Sequence, residues 1–357
     1  MKNAKFAFVS FFEVFPVNFG SSVVCSSLFK NWPYKKKYFQ LSNNKSTKKI
    51  KNISYIENSI GKLFSIPFLF FSLKNYLNAK KNIVLIEGVS WIGYSFFLIL
   101  LIKTFIRNTR IVYKSHSIES EIRKKNSNYL IYKLSKYFEK KVFEFSDLST
   151  SVSINEKKKI YKYYKEKTFL FFNTIEFSKK KTFKKINKNY ILFSGSYDYK
   201  PNAYSIDQLV NFIMPKLHKL EPDIELLIFG NNNLRYTRSW LNFEKVSKKK
   251  YLNYLSNAIA IVIPSDESYG SKVKIIEALC YGTPVITTKI GFTGINVLDK
   301  LQPSIEKNNK SIIQKIIKIK NSRDKYLQAA KNVRKNYIQM HDINFNINRL
   351  IKKIESL

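Results

Sequence analysis

Apolar residues fall along this chain in short runs divided by polar turns and by longer amphipathic stretches. Lys5 to Ser10, Lys37 to Leu41, Asn82 to Glu87 and Arg110 to Lys114 are rich in β-branched and aromatic residues, as buried parallel strands are. Helical spacing is read over Ser22 to Phe29, Ile60 to Leu77, Ile92 to Ile106, Tyr129 to Phe145 and Ile154 to Tyr164. Thr168 to Phe172, Tyr190 to Ser194, Ile224 to Gly230, Ile259 to Ile263 and Val285 to Thr287 are the later strands. Helices are expected over Tyr204 to Leu220, where Pro215 should kink the chain, over Tyr251 to Asn257 and over Ser271 to Tyr281. Beyond Gly294 the pattern is helical to Tyr337. A last amphipathic helix, Asp342 to Leu357, carries a stripe of Ile343, Ile347, Leu350, Ile351 and Ile354. Strands and helices alternate throughout, which predicts an α/β fold of doubly wound parallel sheets.

At 357 residues the chain has room for two such domains. A Lys-rich polar stretch, Phe177 to Asn189, marks the expected linker. The division is 1–177, linker 178–189, second domain 190–337, and a terminal helix 338–357 that packs back on the first domain. The most apolar segment, Ile92 to Ile106, is shorter than the ~20 residues a membrane span needs. Its Phe96 to Ile102 run suits core packing, with lipid docking as the alternative. Glu13 interrupts the apolar N-terminus and no small-residue cleavage site follows, so a strand is read there. Two cysteines, Cys25 and Cys280, lie in different expected domains and suggest no disulfide framework. A cytoplasmic setting fits.

Charge changes the picture less than its size suggests. Lys and Arg number 63 against 25 acids, a net charge of +38. The excess is Lys spread along the whole chain, and Arg, the usual reader of bases and phosphates, is scarce. Abundant Lys, Asn, Ile, Tyr and Phe are what an AT-rich gene would give. No nucleic-acid partner is expected, whereas an anionic membrane surface is a possible one.

The odd residue is Glu277. It lies on a helix whose Val273, Ile275, Ile276, Ala278, Leu279 and Cys280 are nearly all apolar. A buried Glu needs a partner: either a basic side chain reaches it or it holds a polar ligand. The helix follows a strand and a Gly-containing loop, where open α/β sheets bind ligands. Its start, with Gly270 ending the loop, Ser271 as a cap and Lys272 in the first turn, suits a phosphate. Near the N-terminus, Gly20 lies in a loop between a strand and a helix. The ten glycines never form G-x-G, which counts against a dinucleotide dehydrogenase. His116 follows a strand, and Glu119 can complement a helix start.

The run Gly270-Ser271-Lys272-Val273-Lys274-Ile275-Ile276-Glu277-Ala278-Leu279, with Gly282, Pro284 and Val285, resembles the donor-binding end of GT-B glycosyltransferases, in particular glycosyltransferase family 4. Ser146 to Ser153 resembles the family's Ala-Asp-x-x-x-x-x-Ser strand, and Gly195 to Asn202 its first C-terminal loop. The resemblance spans nearly the whole chain and is densest over 190–294. It implies two Rossmann-like domains facing a cleft and a retaining sugar transferase using a nucleotide-sugar, with no metal or other cofactor. By that resemblance His116 faces the phosphates and the transferred sugar, and Glu277 accepts from ribose hydroxyls. Ser196 and Lys200 stand near the phosphates, and Val246, within Phe243 to Ser247, lies where backbone groups read the base. Tyr269 stands where the family's common motif has its first Glu. The expected acceptor is a saccharide or lipid-linked saccharide, in surface polysaccharide or lipopolysaccharide assembly at the inner membrane face. A catalytically inactive scaffold, a basic nucleic-acid binder and a sugar-nucleotide epimerase are the alternatives.

Overall fold

The computed structural model describes residues 4–17, 20–42, 50–58, 61–177, 183–230, 237–266, 273–295 and 297–357. The chain divides into two compact units, Met1–Glu176 with Ile343–Leu357, and Phe177–Asp342.

The first unit contains strands β1 (Lys5–Ser10), β2 (Lys36–Ser42), β3 (Ile53–Glu57), β4 (Asn82–Gly88), β5 (Thr109–Ser115), β6 (Leu148–Ser151) and β7 (Phe169–Leu170). They form a seven-stranded sheet in the order β3-β2-β1-β4-β5-β6-β7, and every pairing is parallel. Its helices are α1 (Gly20–Asn31), α2 (Ile66–Tyr76), α3 (Ile92–Phe105), α4 (Glu119–Asn126), α5 (Tyr129–Phe145) and α6 (Ile154–Tyr164). One core joins the sheet to α2, α3 and α5. The opposite core joins it to α1 and to the chain's last helix, α13 (Ile343–Glu355). All five residues of the expected α13 stripe are buried there, each contributing about 1.5–3 kcal/mol of transfer free energy.

The second unit holds β8 (Asn189–Ser194), β9 (Ile224–Phe229), β10 (Leu241–Glu244), β11 (Ala260–Ile263), β12 (Val285–Thr288) and β13 (Ser304–Glu306). They form a six-stranded sheet in the order β10-β9-β8-β11-β12-β13, again parallel throughout. Its helices are α7 (Lys200–Asp207), α8 (Met214–Leu220), α9 (Lys248–Asn257), α10 (Val273–Tyr281), α11 (Asn309–Asn321) and α12 (Arg323–His341). In each sheet the strand order reverses beside the first strand, at β1/β4 and at β8/β11. Such switch points open a crevice at the carboxyl ends of the strands.

Several expectations change. β3 and β10, both edge strands, have no expected counterpart, because their alternating, half-exposed residues give no apolar run. The helix expected from Ile60 starts at Ile66, with Pro67 in its first turn. The strand expected over 168–172 shortens to Phe169–Leu170. Pro215 does not simply kink one helix. A π-helical turn, Gln208–Ile213, precedes it and separates α7 from α8. The wider turn accommodates a residue that lacks an N–H and crowds the preceding carbonyl. The stretch after Gly294 is not uniformly helical, since β13 adds a sixth strand before α11. Residues 183–188 are pinned along α9: Lys184 N donates to Asn253 Oδ1 at 2.7 Å and Ile186 N to Asn257 Oδ1 at 3.2 Å. Cys25 and Cys280 are both free and buried.

Candidate functional site

In the second unit the switch point is built from the ends of β8 and β11 and from the helices α9 and α10. β11 is apolar and fully buried, and Pro264 ends it. In α10, Ile275, Ile276, Ala278, Leu279 and Cys280 are buried, as the pattern requires. Gly282, at φ +72°, terminates the helix in the left-handed conformation that favours glycine. Thr283 N then donates back to Ala278 O at 2.9 Å.

Glu277 is buried at 8% exposure. Lys248, the first residue of α9, reaches its carboxylate, so the basic partner that a buried Glu requires does exist. The pairing is one-sided, because the Lys248 side chain is 61% exposed and that of Glu277 only 11%. A cation that wet can leave the carboxylate at small cost. Tyr251, one turn along α9, faces Glu277 as well. Burial first, and then the Glu277 charge, hold its hydroxyl well above the usual phenol range. Tyr251 Oη lies 3.4 Å from Ser194 Oγ at the end of β8. Thus a carboxylate, a phenol and a hydroxyl line up at the carboxyl ends of the strands.

The loop after β8 is fixed closely. Gly195 has φ +151°, and a Cβ there would sit 2.6 Å from Asn202 Nδ2. Asn202 Nδ2 donates to Ser196 O at 3.0 Å, and Lys274 Nζ donates to Asn202 Oδ1 at 2.8 Å. The Lys274 ammonium also lies 4.3 Å from the centre of the Phe193 ring. Hence Lys274, which the sequence reading left without a role, ties the start of α10 to this loop. Ser196 Oγ donates to Asp198 Oδ2 at 3.2 Å, while the Lys200 side chain is exposed at the start of α7. Val246 is half-buried between β10 and α9. Gly270, Ser271 and Lys272, with Tyr269, lie outside the described residues. A cavity of 690 Å³ opens at the ends of β11, β12 and β13, lined by Ser265, Asp266, Thr288, Lys289, Glu306 and Lys307 among others.

In the first unit His116 follows β5 directly. Its Nε2 lies 2.6 Å from Glu87 Oε2 and 3.1 Å from Lys114 Nζ, and Lys114 donates to the same Glu87 oxygen at 3.0 Å. Glu87 and Lys114 are direct neighbours in the β4/β5 register, both fully buried. Burial pushes the Glu87 carboxyl up, but the Lys114 charge and the His116 contacts outweigh it and hold it at about 2. Burial and then the Lys114 charge lower the His116 pKa, against an upward pull from Glu87. The sequence carries a signal for this pair: two opposite charges in neighbouring strands that are otherwise apolar.

Cys25 from α1 completes a cluster with Glu87 and His116 whose donor atoms lie within 4.8 Å of one another. No local spacing could reveal it, since the three come from α1, β4 and the end of β5. The Lys114 ammonium sits among these groups as their cation. Glu119 stands in the first turn of α4, as expected, and accepts from Arg123 Nε at 2.6 Å. The Glu119 and Ser120 N–H groups donate to Glu139 on α5 at 2.7 and 3.2 Å, which clamps the helix that follows His116. Gly20 opens α1, and a Cβ there would meet nothing within 4 Å among the described residues, so packing does not demand glycine.

Two doubly wound parallel sheets in series are the architecture of the GT-B class, and solved structures of that class superpose on this chain. Sucrose-phosphate synthase from Thermosynechococcus elongatus aligns over 99% of this chain and 98% of its own, with a TM-score of 0.77 and 14% identity. Anabaena HepE in complex with UDP aligns over 99% and 100%, with a TM-score of 0.73 and 12% identity. An E. coli trehalose-6-phosphate protein bound with UDP-2-fluoro glucose aligns over 99% of each chain, with a TM-score of 0.71 and 10% identity. No curated protein sequence matches the chain. Residues 188–321 match the profile of the family described as glycosyl transferases group 1. The chain has the GT-B fold, and its residues 188–321 resemble the group 1 glycosyl transferases.

Proposed function

We propose that the protein transfers a sugar, with retention of anomeric configuration, from a nucleotide-sugar to a saccharide or lipid-linked acceptor. The observation that carries this reading is Glu277, a buried carboxylate at the β8/β11 switch point whose only cationic partner among the described residues, Lys248, is mostly in water. A carboxylate so placed suits a pair of ribose hydroxyls. The superposition on HepE in complex with UDP-glucose supports a donor of that class. Helix N-termini and basic side chains would carry the charge of the leaving diphosphate, so metal-independent transfer is the expected chemistry. His116 is the proposed substrate-facing residue of the first unit. The test is acceptor-dependent release of nucleoside diphosphate from UDP-, GDP-, ADP- and CMP-sugars, with and without chelator. Release from one nucleotide class that survives chelator agrees with the proposal. Release from none, despite donor binding, would favour an inactive scaffold.

A lipid-linked acceptor at an anionic membrane face is part of the proposal. No helix among the described residues is long and apolar enough to cross a membrane. The Phe96 to Ile102 run is mainly core, with Leu98, Ile99 and Ile102 buried. Instead Phe64, Phe68 and Phe71 stand out from α2 and the segment before it at 67%, 59% and 58% exposure. Exposed Phe105 packs beside the Phe70 ring at 6.0 Å. An aromatic patch on a strongly basic chain suits an interface of anionic lipid. Vesicles containing anionic phospholipid should bind the protein at low salt. The Phe64→Ser/Phe68→Ser/Phe71→Ser variant should bind them at least about tenfold more weakly. Equal binding by both would remove the patch from the account.

A further inference from the structure

The contacts around His116 decide which of its nitrogens carries the proton. A Lys ammonium can only donate and an ionised carboxylate can only accept. Both Lys114 Nζ, at 3.1 Å, and Glu87 Oε2, at 2.6 Å, meet the same ring atom, Nε2. If Nε2 were bare, its lone pair would face the carboxylate oxygen at 2.6 Å in a buried site. If Nε2 carries hydrogen, that contact is a short charge-assisted hydrogen bond, and Lys114 has Glu87 Oε2 as its own acceptor at 3.0 Å. A second ring proton would place an imidazolium against the Lys114 ammonium. The other titratable groups facing the ring are neutral: the Cys25 thiol, 3.9 Å away on α1, and Tyr38 behind it on β2 are both pushed up, first by burial. Among the described residues, His116 Nδ1 has no hydrogen-bond partner, and it is not one of the buried unpaired atoms.

We propose that Glu87 and Lys114 are positioning residues that hold His116 as the neutral, Nε2-protonated imidazole, so that Nδ1 presents a lone pair to a hydroxyl of the bound substrate. This rests on the reading of His116 as substrate-facing. Glu87 fixes the tautomer and the ring plane. Lys114 keeps Glu87 ionised and opposes protonation of the ring. A sugar hydroxyl that donates to Nδ1 is then accepted in one orientation. An Nδ1-protonated ring or an imidazolium would meet it with a competing donor.

The test uses the full chain labelled with 15N-histidine. It contains three histidines, and the His116 signals are identified by their loss in His116→Gln. At neutral pH the expected spectrum has a protonated Nε2 and a bare Nδ1. A protonated Nδ1 or an imidazolium there overturns the proposal without recourse to any variant that might misfold. Glu87→Gln, whose amide can donate to Nε2, should shift the population to the Nδ1-protonated form. It should also lower turnover by about 10–100-fold, the effect of meeting the substrate hydroxyl with a competing donor. A folded Glu87→Gln protein with altered tautomer and full turnover would overturn the functional half. Full turnover by His116→Gln would instead remove the substrate-facing reading of His116, whatever the tautomer.

Discussion

Glu277→Ala should lower donor affinity about 100-fold while the unliganded protein keeps its fold. Hydrogen bonds to a charged acceptor contribute about 1.5–3 kcal/mol each, so losing a pair of hydroxyl contacts is worth at least two orders of magnitude in Kd. The folding cost is small because Lys248, 61% exposed, returns to water when its partner is removed. The packing of α10 rests on Ile275, Ile276, Ala278, Leu279 and Cys280, which the substitution leaves in place. Calorimetric titration with donor and thermal unfolding without it separate the two effects. Loss of binding with an apo midpoint within a few degrees of wild type is the expected result. A purely structural ion pair would show the reverse: a large apo shift with affinity retained. Lys248→Met, which removes the cation and leaves the carboxylate, should change donor affinity far less than Glu277→Ala.

Lys114→Met should cost the largest amount of stability. Lys114 and Glu87 have side-chain exposures of 1% and 0%. Removing one partner strands a buried charge, at about 3–5 kcal/mol. Glu87→Gln/Lys114→Met, which removes both charges, should recover most of that loss. Urea midpoints of the single and double variants measure the difference, and a single variant as stable as wild type would contradict the pairing. The same pair predicts an acid signature. Glu87 is held at about 2 in the fold against an ordinary value of 4.5. Its folded pKa is depressed, so its contribution is present above pH ~4.5 and is lost as the pH falls towards ~2. The difference is about 3 kcal/mol. In the double variant that part of the acid loss should disappear.

The alternation of strands and helices, the buried α10 with its one carboxylate, the position of His116 after β5 and the α13 stripe were legible because each depends on local periodicity. The edge strands β3 and β10 were not, because they are half-exposed and resemble loops. β13 went unread within an Ile- and Lys-rich stretch whose composition also suits a helix. The partners of the candidate residues were hidden for a different reason. Lys248 meets Glu277, Lys274 meets Asn202, and Glu87 meets His116 only after parallel strands and their crossover helices bring distant positions together. Of these, only Glu87 and Lys114 left a trace in the sequence, as charges inside apolar strands. The expected phosphate-binding residues Gly270, Ser271 and Lys272 lie outside the described residues, so the start of α10 is represented here by Lys274 and its tie to Asn202.

The central claim is that the β8/β11 switch point, with Glu277, is a nucleotide-sugar site. The most direct measurement is calorimetric binding of UDP-, GDP-, ADP- and CMP-sugars to wild type and to Glu277→Ala. The account predicts saturable binding of one nucleotide class to wild type, weakened about 100-fold or more in the variant. Binding of equal strength in both proteins, or of no nucleotide-sugar to a folded wild type, would contradict it.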